Sequence, residues 1–484
     1  MKARGSVLAL RAADVVLSGT AASVGAGVLL ARKLRRAATV PTLHPRLLVI
    51  NATYSLSVLR ARQSEHFATH RDLAGYFDRV WSVHPLVGAH PGEPPGAGVG
   101  APTVTPLNDV HTMIEGKTRR FDGLARLPYL NFTLAQLELV LLLDRIVDRQ
   151  GVGIVRGDPY YSGLLALLLG RSNRRPVELR IIADHDAIYD SVGALAHPRL
   201  FHRRAVEQRV TRYTLSHADS VVAGSADIRS FALRNGARSD RLAYAGNWSM
   251  INPIHLSEPR ERQPLEDEFG LCARPIVVCV SRLERMKHPE DVIISVAKAQ
   301  ARHPYLAAVI VGDGAMRREL EELCEELGVQ DDVVFAGDRD QRWIARLLAQ
   351  STVIAAPLAG LALVESALSG TPIVAYDVDW HSELIRNGQE GILVPYRDCE
   401  ALAAAICALV EDQEEASRLA DAARGAALET MQPEKLLADE RSLADALLAR
   451  RLGGPEPGRL GQPSGHRVAL RSQGDGVGPA GTRC

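Results

Sequence analysis

The 484-residue sequence has no excess charge of either sign: 57 lysines and arginines balance 57 aspartates and glutamates. A general nucleic-acid binder needs a basic surface, so this balance argues against nucleic acid as a partner. Cysteines are few, six in all, and none forms a CxxC pair or accompanies a histidine cluster at metal-ligand spacing. This scarcity argues against a disulfide framework and a zinc site, and it predicts reduced, mostly buried thiols in a cytoplasmic protein.

Long apolar runs are also scarce, and the one that stands out is the uncharged segment Val15–Ala31, which basic residues flank on both sides. As a helix it would span about 26 Å, just short of the ~30 Å hydrocarbon core of a bilayer. A cleaved signal peptide is disfavoured because the basic run follows the apolar part. Two interpretations stay open. The segment is a membrane-associated helix, which adds a membrane surface to the partners and places the protein at the inner face of the membrane, or it is a packed or disordered leader.

Short, continuously apolar runs alternate with helix patterns through most of the chain, as is typical of parallel strands covered on both faces. The predicted strands are 47–50, 80–83, 153–156, 179–182, 220–223, 276–280, 307–311, 333–335, 353–356, 373–375 and 392–394. The Gly/Pro-rich segment Val87–Leu107 predicts a long flexible loop. No internal repeat is evident.

These patterns predict an α/β protein with two domains whose sheets are largely parallel. The predicted divisions are a leader (1–40), a first domain (41–250), a linker (251–272), a second domain (273–432), a C-terminal helix (433–452) and a disordered tail (453–484). Ligands of such sheets bind beyond the carboxyl ends of the strands, so we expect a functional cleft where the two domains face each other.

A single carboxylate, Glu365, interrupts the otherwise apolar helix pattern GLALVESAL at residues 360–368. An unpaired buried carboxylate is costly, so its presence suggests a function. The turn before Leu361 leaves backbone N–H groups free to bind a phosphate, and Glu365 lies one helical turn further on the same face. A nucleoside diphosphate fits this arrangement, because its ribose offers two hydroxyls to the carboxylate.

Cations for a diphosphate come from the segment SRLERMK, which follows the predicted strand 276–280 and contains Arg282 and Lys287. Arginine suits bidentate contact with phosphate, and lysine adds a mobile point charge. The strand 307–311 ends in a turn with Gly312 and Gly314, where the missing side chains permit close backbone approach.

The order and spacing of these elements resemble the nucleotide-binding half of family 4 retaining glycosyltransferases of the GT-B fold, glycosyl transferases group 1. The resemblance spans 276–434 and is carried by SRLERMK, VGDGAMRRELEELCEELG, VVFAGD, AAPLAGLALVESALSGTPIVAYD and NGQEGILVPYRDCEALAAAI. It implies two Rossmann-like domains facing across a cleft. It also implies that Arg282 and Lys287 bind the donor diphosphate at the helix start of Gly360, Leu361 and Ala362, and that Glu365 holds the ribose.

The first half resembles the acceptor domain of the same family, through VGIVRGDPYYSGLLALLLG, RIIADHD and RLAYAGN. By this resemblance His185 and Asp186 lie at the acceptor site, Asn247 closes the domain, and the helix around Leu436–Arg451 crosses back to it. The implied reaction moves a sugar from a nucleotide diphosphate sugar to a glycan or lipid-linked acceptor in surface polysaccharide or cell-envelope glycan synthesis, without a cofactor or metal.

One departure concerns Pro357, which occupies the position where many relatives have a glutamate that contacts the transferred sugar. The departure leaves open an inactive member that only binds nucleotide sugars. A second alternative, independent of Pro357, is a nucleotide-sugar epimerase on the same scaffold. The DVD motif of Asp377 and Asp379 is short and common, so a helix cap or a hydrogen-bond acceptor for loop amides competes with metal ligation there.

Overall fold

The structure is a computed structural model that describes residues 45–51, 54–61, 64–88, 93–94, 96–193, 201, 203–244, 251–259, 268–271, 274–378, 380–430 and 432–451. The predicted leader, Asn247, Asp379 and the predicted tail lie outside these residues. The described chain forms two compact units. Unit 1 combines the described residues before 245 with 433–451, and unit 2 runs from residue 251 to residue 432.

Unit 1 contains an eight-stranded sheet in the order β3-β4-β2-β1-β5-β6-β7-β8, parallel except for the β3–β4 pair. Its strands are β1 Arg46–Ile50, β2 Arg79–Val87, β3 Thr103–Pro106, β4 His111–Lys117, β5 Ile154–Gly157, β6 Val177–Ile181, β7 Ser220–Ala223 and β8 Leu242–Tyr244. Its helices are α1 Leu56–Ala61, α2 His66–Thr69, α3 Pro128–Arg149, α4 Tyr161–Ser172, α5 His185–Val192, α6 Arg204–His217 and α7 Ala226–Arg234. A further helix, α15 Pro433–Arg451, comes from the end of the described chain.

Both faces of the unit 1 sheet are covered, which is why its central strands read as continuous apolar runs. One face packs against α3, α4 and α7 in a large apolar core around Leu48, Leu139 and Leu169. On the other face, Leu47 and Ile154 pack with Leu447 of α15. The C-terminal helix is therefore an integral layer of unit 1.

Unit 2 contains a six-stranded, wholly parallel sheet in the order β11-β10-β9-β12-β13-β14. Its strands are β9 Ile276–Val280, β10 Ala307–Val311, β11 Val333–Gly337, β12 Val353–Ala356, β13 Ile373–Tyr376 and β14 Ile392–Val394. Its helices are α8 Pro289–Ala299, α9 Arg317–Leu327, α10 Gln341–Gln350, α11 Leu361–Leu368, α12 His381–Leu384, α13 Cys399–Glu411 and α14 Gln413–Thr430. Apolar cores lie on both faces of this sheet, and Cys279, Cys324, Cys399 and Cys407 are buried thiols.

Two sequence-based predictions differ from the structure. The predicted loop Val87–Leu107 contains strand β3, which forms a hairpin with β4 at the sheet edge and is largely exposed there. The described part of the predicted linker 251–272 packs into unit 2, where Ile251 and Leu271 are buried in the core. A short helical turn at Pro253–Leu256 buries His255 completely. The turn is buried because its apolar neighbours Ile251 and Leu256 pack into the core of unit 2.

The described helices include none that combines the length and apolarity needed to cross a bilayer. Segment 15–31, for which the sequence leaves membrane association open, lies outside the described residues.

Candidate active site

The sequence-predicted donor-side residues of unit 2 follow three neighbouring strands. Arg282 and Lys287 follow β9, Gly312 and Gly314 follow β10, and Glu365 lies on α11 after β12. Because β10, β9 and β12 are adjacent and parallel, their carboxyl ends share one edge of the sheet, where α/β proteins bind ligands. The topology therefore gathers these residues at one edge.

Gly312 and Gly314 let the loop after β9 approach the loop after β10 closely. A Cβ at Gly312 would lie 2.1 Å from the carbonyl oxygen of Ser281, and one at Gly314 would lie 2.4 Å from that of Leu283. Backbone hydrogen bonds join the two loops, from Ser281 N to Val311 O and from Leu283 N to Asp313 O. The glycines therefore fix the position of the backbone that carries Arg282.

We expect Gly312→Ala to destabilise unit 2, because Gly312 has a φ of +124° and no room for a Cβ. Backbone strain alone costs about 1–3 kcal/mol. The matched control is Gly425→Ala, at an open helical position, which should stabilise the chain by about 0.5–1 kcal/mol. Chemical denaturation of both variants measures the difference, and equal effects would contradict this role of Gly312.

Lys287 reaches from the loop after β9 to the turn that precedes α11. Its Nζ donates a hydrogen bond of 3.0 Å to the carbonyl oxygen of Leu358. The same turn is held on its other side by the fully buried His381, whose Nε2 lies 3.0 Å from Ala359 O and whose Nδ1 lies 2.9 Å from Tyr376 O. The ammonium group is thus fixed beside the start of α11.

The N-terminus of α11 presents backbone N–H groups without a side-chain cap. Gly360 is the N-cap residue, no side chain accepts a hydrogen bond there, and a Cβ on Gly360 would meet open space. The first N–H groups of a helix, here those of Leu361 and Ala362, have no intrahelical acceptor. Together with Lys287 they form a site of positive electrostatic potential that is suited to an anion.

Arg282 is half-exposed, and its Nη1 lies 2.9 Å from Glu284 Oε1. Solvent-exposed ion pairs of this kind contribute little to stability. The guanidinium is consequently available to exchange Glu284 for a stronger anion such as a diphosphate.

Glu365 is buried on α11, as the apolar pattern around it predicts, with 8% of its surface exposed. Burial raises the pKa of its carboxyl group to about 7. His255 Nε2 lies 3.9 Å from Glu365 Oε1, beyond hydrogen-bond distance, and 2.7 Å from Gln341 Oε1. A buried carboxylate that is not hydrogen-bonded to this histidine is suited to a ligand that supplies hydroxyl donors.

Unit 1 holds the second group of predicted residues after strand β6. Asp184 caps α5 by accepting hydrogen bonds from Asp186 N and Ala187 N, at 2.9 and 3.0 Å, and pairs with Arg234 at 2.6 Å. The predicted site residue Asp186 is bound by Arg204 and by Asn235 Nδ2. Both carboxylates thus serve the packing of α5, α6 and α7, which argues for a positioning role of Asp186.

His185 is half-buried against an aromatic residue that the sequence did not single out. Its ring meets Tyr160 edge to face, with centroids 4.7 Å apart. The Tyr160 hydroxyl is buried, and burial together with Glu207 and Asp158 raises its pKa well above the usual value. Tyr160 follows β5 and His185 follows β6, so the pair lies at the carboxyl edge of the unit 1 sheet.

Arg156, near the carboxyl end of strand β5, is buried inside unit 1. Its Nε lies 2.6 Å from Glu178 Oε1. Among the described residues, no group of three or more His, Cys, Asp or Glu side chains is placed to hold a metal ion.

Comparison with known proteins identifies the second half of the chain. Residues 268–426 match the family model of glycosyl transferases group 1. The matched residues contain all six strands of the unit 2 sheet. Over 281 residues the chain is 28% identical to the GDP-mannose-dependent alpha-(1-6)-phosphatidylinositol monomannoside mannosyltransferase of Mycolicibacterium smegmatis, covering 55% of this chain and 70% of that protein. It is 31% identical to the alpha-D-kanosaminyltransferase of Streptomyces kanamyceticus, over 40% of this chain and 51% of that protein.

Solved structures extend the likeness to both units. Anabaena HepE, crystallised with UDP, matches with a TM-score of 0.62 at 17% identity, over 83% of this chain and 99% of that chain. The sucrose-phosphate synthase of Thermosynechococcus elongatus matches with a TM-score of 0.61 at 19% identity, over 84% and 99%. The chain has the GT-B fold, which confirms the predicted fold class.

Proposed function

We propose that the chain transfers a glycosyl group, with retention of configuration, from a nucleotide diphosphate sugar to a hydroxyl of a glycan or lipid-linked acceptor of the cell envelope. The observation that carries the proposal is the donor-side edge of unit 2, where Lys287 contacts the turn before α11 and the uncapped start of α11 lies one helical turn from the buried Glu365. Relatives support it: the mycolicibacterial mannosyltransferase is named for GDP-mannose, and the Anabaena structure contains UDP.

In the proposed reaction the bond between the anomeric carbon and the donor phosphate breaks while the acceptor oxygen bonds to that carbon. The leaving diphosphate gathers negative charge, which Arg282, Lys287 and the N–H groups of Leu361 and Ala362 stabilise. The acceptor hydroxyl passes its proton to the departing phosphate, so the step requires no metal and no enzyme nucleophile. Glu365 fixes the ribose and takes no part in bond breaking.

We expect Lys287→Ala and Arg282→Ala each to lower kcat by about 100-fold or more, as does removal of a group that stabilises developing charge. The control is Lys298→Ala, an exposed lysine of the same unit that pairs with Glu400 at 2.5 Å. Turnover is measured with UDP-, GDP- and ADP-sugars in the presence of an acceptor panel. Unchanged rates in both site variants would contradict the proposed site.

Product analysis separates the proposal from its two alternatives. NMR of the product should show the same anomeric configuration as the donor, and product should form only when acceptor is added. Conversion of the donor to a second nucleotide sugar without acceptor would identify an epimerase. Tight nucleotide binding without turnover across the panel would support the binding member that Pro357 suggests.

A further inference from the structure

Unit 1 exposes a strip of large apolar side chains between strand β4 and helix α3. The strip, residues 119–130, presents Phe121, Leu127, Tyr129 and Leu130, whose exposed fractions are 47%, 53%, 38% and 48%. They account for four of the twelve exposed large apolar residues in the described part of the chain. Soluble surfaces tolerate scattered apolar residues, whereas a contiguous group indicates a contact surface.

A fully buried amide holds the strip in place. Asn131 Oδ1 accepts hydrogen bonds from the backbone N–H groups of Arg120 and Phe121, at 2.6 and 2.9 Å. Asn131 Nδ2 donates to the Phe121 carbonyl oxygen at 2.6 Å. These three bonds fix the turn in the conformation that points Phe121 to solvent, so its exposure follows from the construction of the turn.

Helix α3 leaves the rest of the strip exposed because its apolar face begins later. Its buried positions start at Asn131 and continue through Ala135, Leu139 and Leu143, one turn apart. Pro128 sets the helix start, which leaves Leu127, Tyr129 and Leu130 ahead of the buried face.

Positive charge accompanies the apolar side chains. Arg119, Arg120 and Arg126 lie within the strip, and Asp122 is its sole acidic residue. Arg119 and Arg126 are exposed, whereas Arg120 pairs with Glu138 at 2.5 Å and lies over the Phe121 ring. Apolar and aromatic side chains beside arginines are the composition of an interfacial membrane surface.

We propose that residues 119–130 dock unit 1 on an anionic lipid surface, with Phe121, Leu127 and Leu130 inserted and Arg119 and Arg126 on the headgroups. A membrane is favoured over a protein partner because a stable protein interface takes about 20–30 residues a side, and this strip has twelve. The proposal goes beyond glycosyl transfer and does not depend on it.

The strip lies on the sheet edge that also carries His185. It follows the carboxyl end of β4, His185 follows that of β6, and the order β4-β2-β1-β5-β6 separates these strands by four spacings, or about 19 Å. Docking through the strip therefore turns the carboxyl edge of the unit 1 sheet, with His185, towards the membrane. A lipid-linked acceptor would be found there.

The test uses the full chain and a probe on the strip itself, because segment 15–31 offers a separate route to a membrane. A tryptophan is placed at the strip by Phe121→Trp and, as the control, at an exposed position of unit 2 by Tyr305→Trp, where the tyrosine is 77% exposed. Vesicles of brominated phosphatidylcholine, with or without phosphatidylglycerol, should quench the added tryptophan at position 121 and leave that at position 305 unchanged. Vesicle binding without quenching at position 121 would overturn the proposal, as would no binding to the anionic vesicles.

A second measurement separates apolar insertion from charge. The triple variant Phe121→Ser, Leu127→Ser and Leu130→Ser should lower partitioning onto anionic vesicles at least tenfold. Reversal of charge in Arg119→Glu with Arg126→Glu should abolish the preference for phosphatidylglycerol over pure phosphatidylcholine. Both variants should keep the wild-type melting temperature, since the replaced side chains are exposed. Wild-type partitioning by both would overturn the proposal, and activity on a water-soluble acceptor reports independently on the transfer reaction.

Discussion

Replacing Glu440 by alanine should destabilise unit 1 by about 3–5 kcal/mol, the usual cost of removing one partner from a buried ion pair. Glu440 lies on α15 and is 3% exposed. Arg180 donates to both of its carboxylate oxygens, from Nη1 at 2.6 Å and from Nη2. Arg156 Nη2 lies 3.7 Å from Glu440 Oε2. The variant would leave both guanidinium groups in the interior with Glu178 as their remaining close carboxylate.

The pKa values of the arginines near Glu440 show how its carboxylate stabilises their charged forms. Burial opposes the charge of Arg180, but Glu440 and Glu178 overcome that opposition and hold its pKa above the usual value. Burial, together with Arg156, lowers the pKa of nearby Arg71 to about 10. The charges of Arg71, Arg156 and Arg180 thus oppose one another, and the loss of the Glu440 carboxylate removes an anion that offsets this repulsion.

Hydrogen exchange locates the expected loss. In Glu440→Ala, peptides that cover β6 and α15 should exchange faster, whereas peptides that cover β9 and β13 of unit 2 should be unchanged. Asp439→Ala is the matched control, because Asp439 is the exposed neighbour of Glu440 on the same helix, and its effect should stay within about 0.5 kcal/mol. Equal protection in both variants would show that the ion pair does not hold α15 in place.

Glu365→Gln should increase stability at alkaline pH and, at the same time, impair donor use. Burial raises the folded-state pKa of Glu365 to about 7 from its ordinary value of 4.5. The stability this group contributes is therefore complete below pH 4.5 and is lost as the pH rises through 7. Relative to wild type, the variant should gain on the order of 3 kcal/mol between pH 4.5 and pH 8, at 1.36 kcal/mol per pKa unit.

The same substitution should lower kcat/KM for the donor by about 100-fold, since a glutamine replaces the charged acceptor of two ribose hydroxyls. Glu326→Gln, at an exposed position of α9, should change neither quantity. Denaturation at pH 5 and pH 8 and donor kinetics at pH 8 measure both effects. A variant that gains stability with unchanged kinetics would show that Glu365 is buried for a reason other than the donor.

The sequence predicts much of the central sheets because their strands are buried on both faces. Five strands, β7, β9, β10, β12 and β14, begin and end where the apolar runs predict. Strand β4, HTMIEGK, is not predicted because it lies next to the edge strand and its polar residues interrupt the apolar run. Strand β3 is not predicted because its residues are mostly exposed, so the strand carries no apolar run.

The candidate site divides in a similar way. Glu365 is visible in the sequence because a charge in an apolar run is costly, and Lys287 because it follows a strand end. His255 and His381 give no such signal, since each acquires its role from partners distant in sequence: Gln341 is 86 residues from His255, and Ala359 is 22 from His381. The pair of Arg180 and Glu440 joins residues 260 positions apart, which only a completed fold can bring together.

The placement of α15 in unit 1 has a consequence for how a cell makes this protein. A ribosome delivers residues 433–451 after every residue of unit 2, yet Leu447 of that stretch covers Leu47 and Ile154 of unit 1. Unit 1 is therefore translated first but completes its folding last. Until residues 433–451 are made, the apolar face that they cover stays exposed and available to chaperones. A premature stop codon just before position 433 would therefore damage the beginning of the protein more than its end.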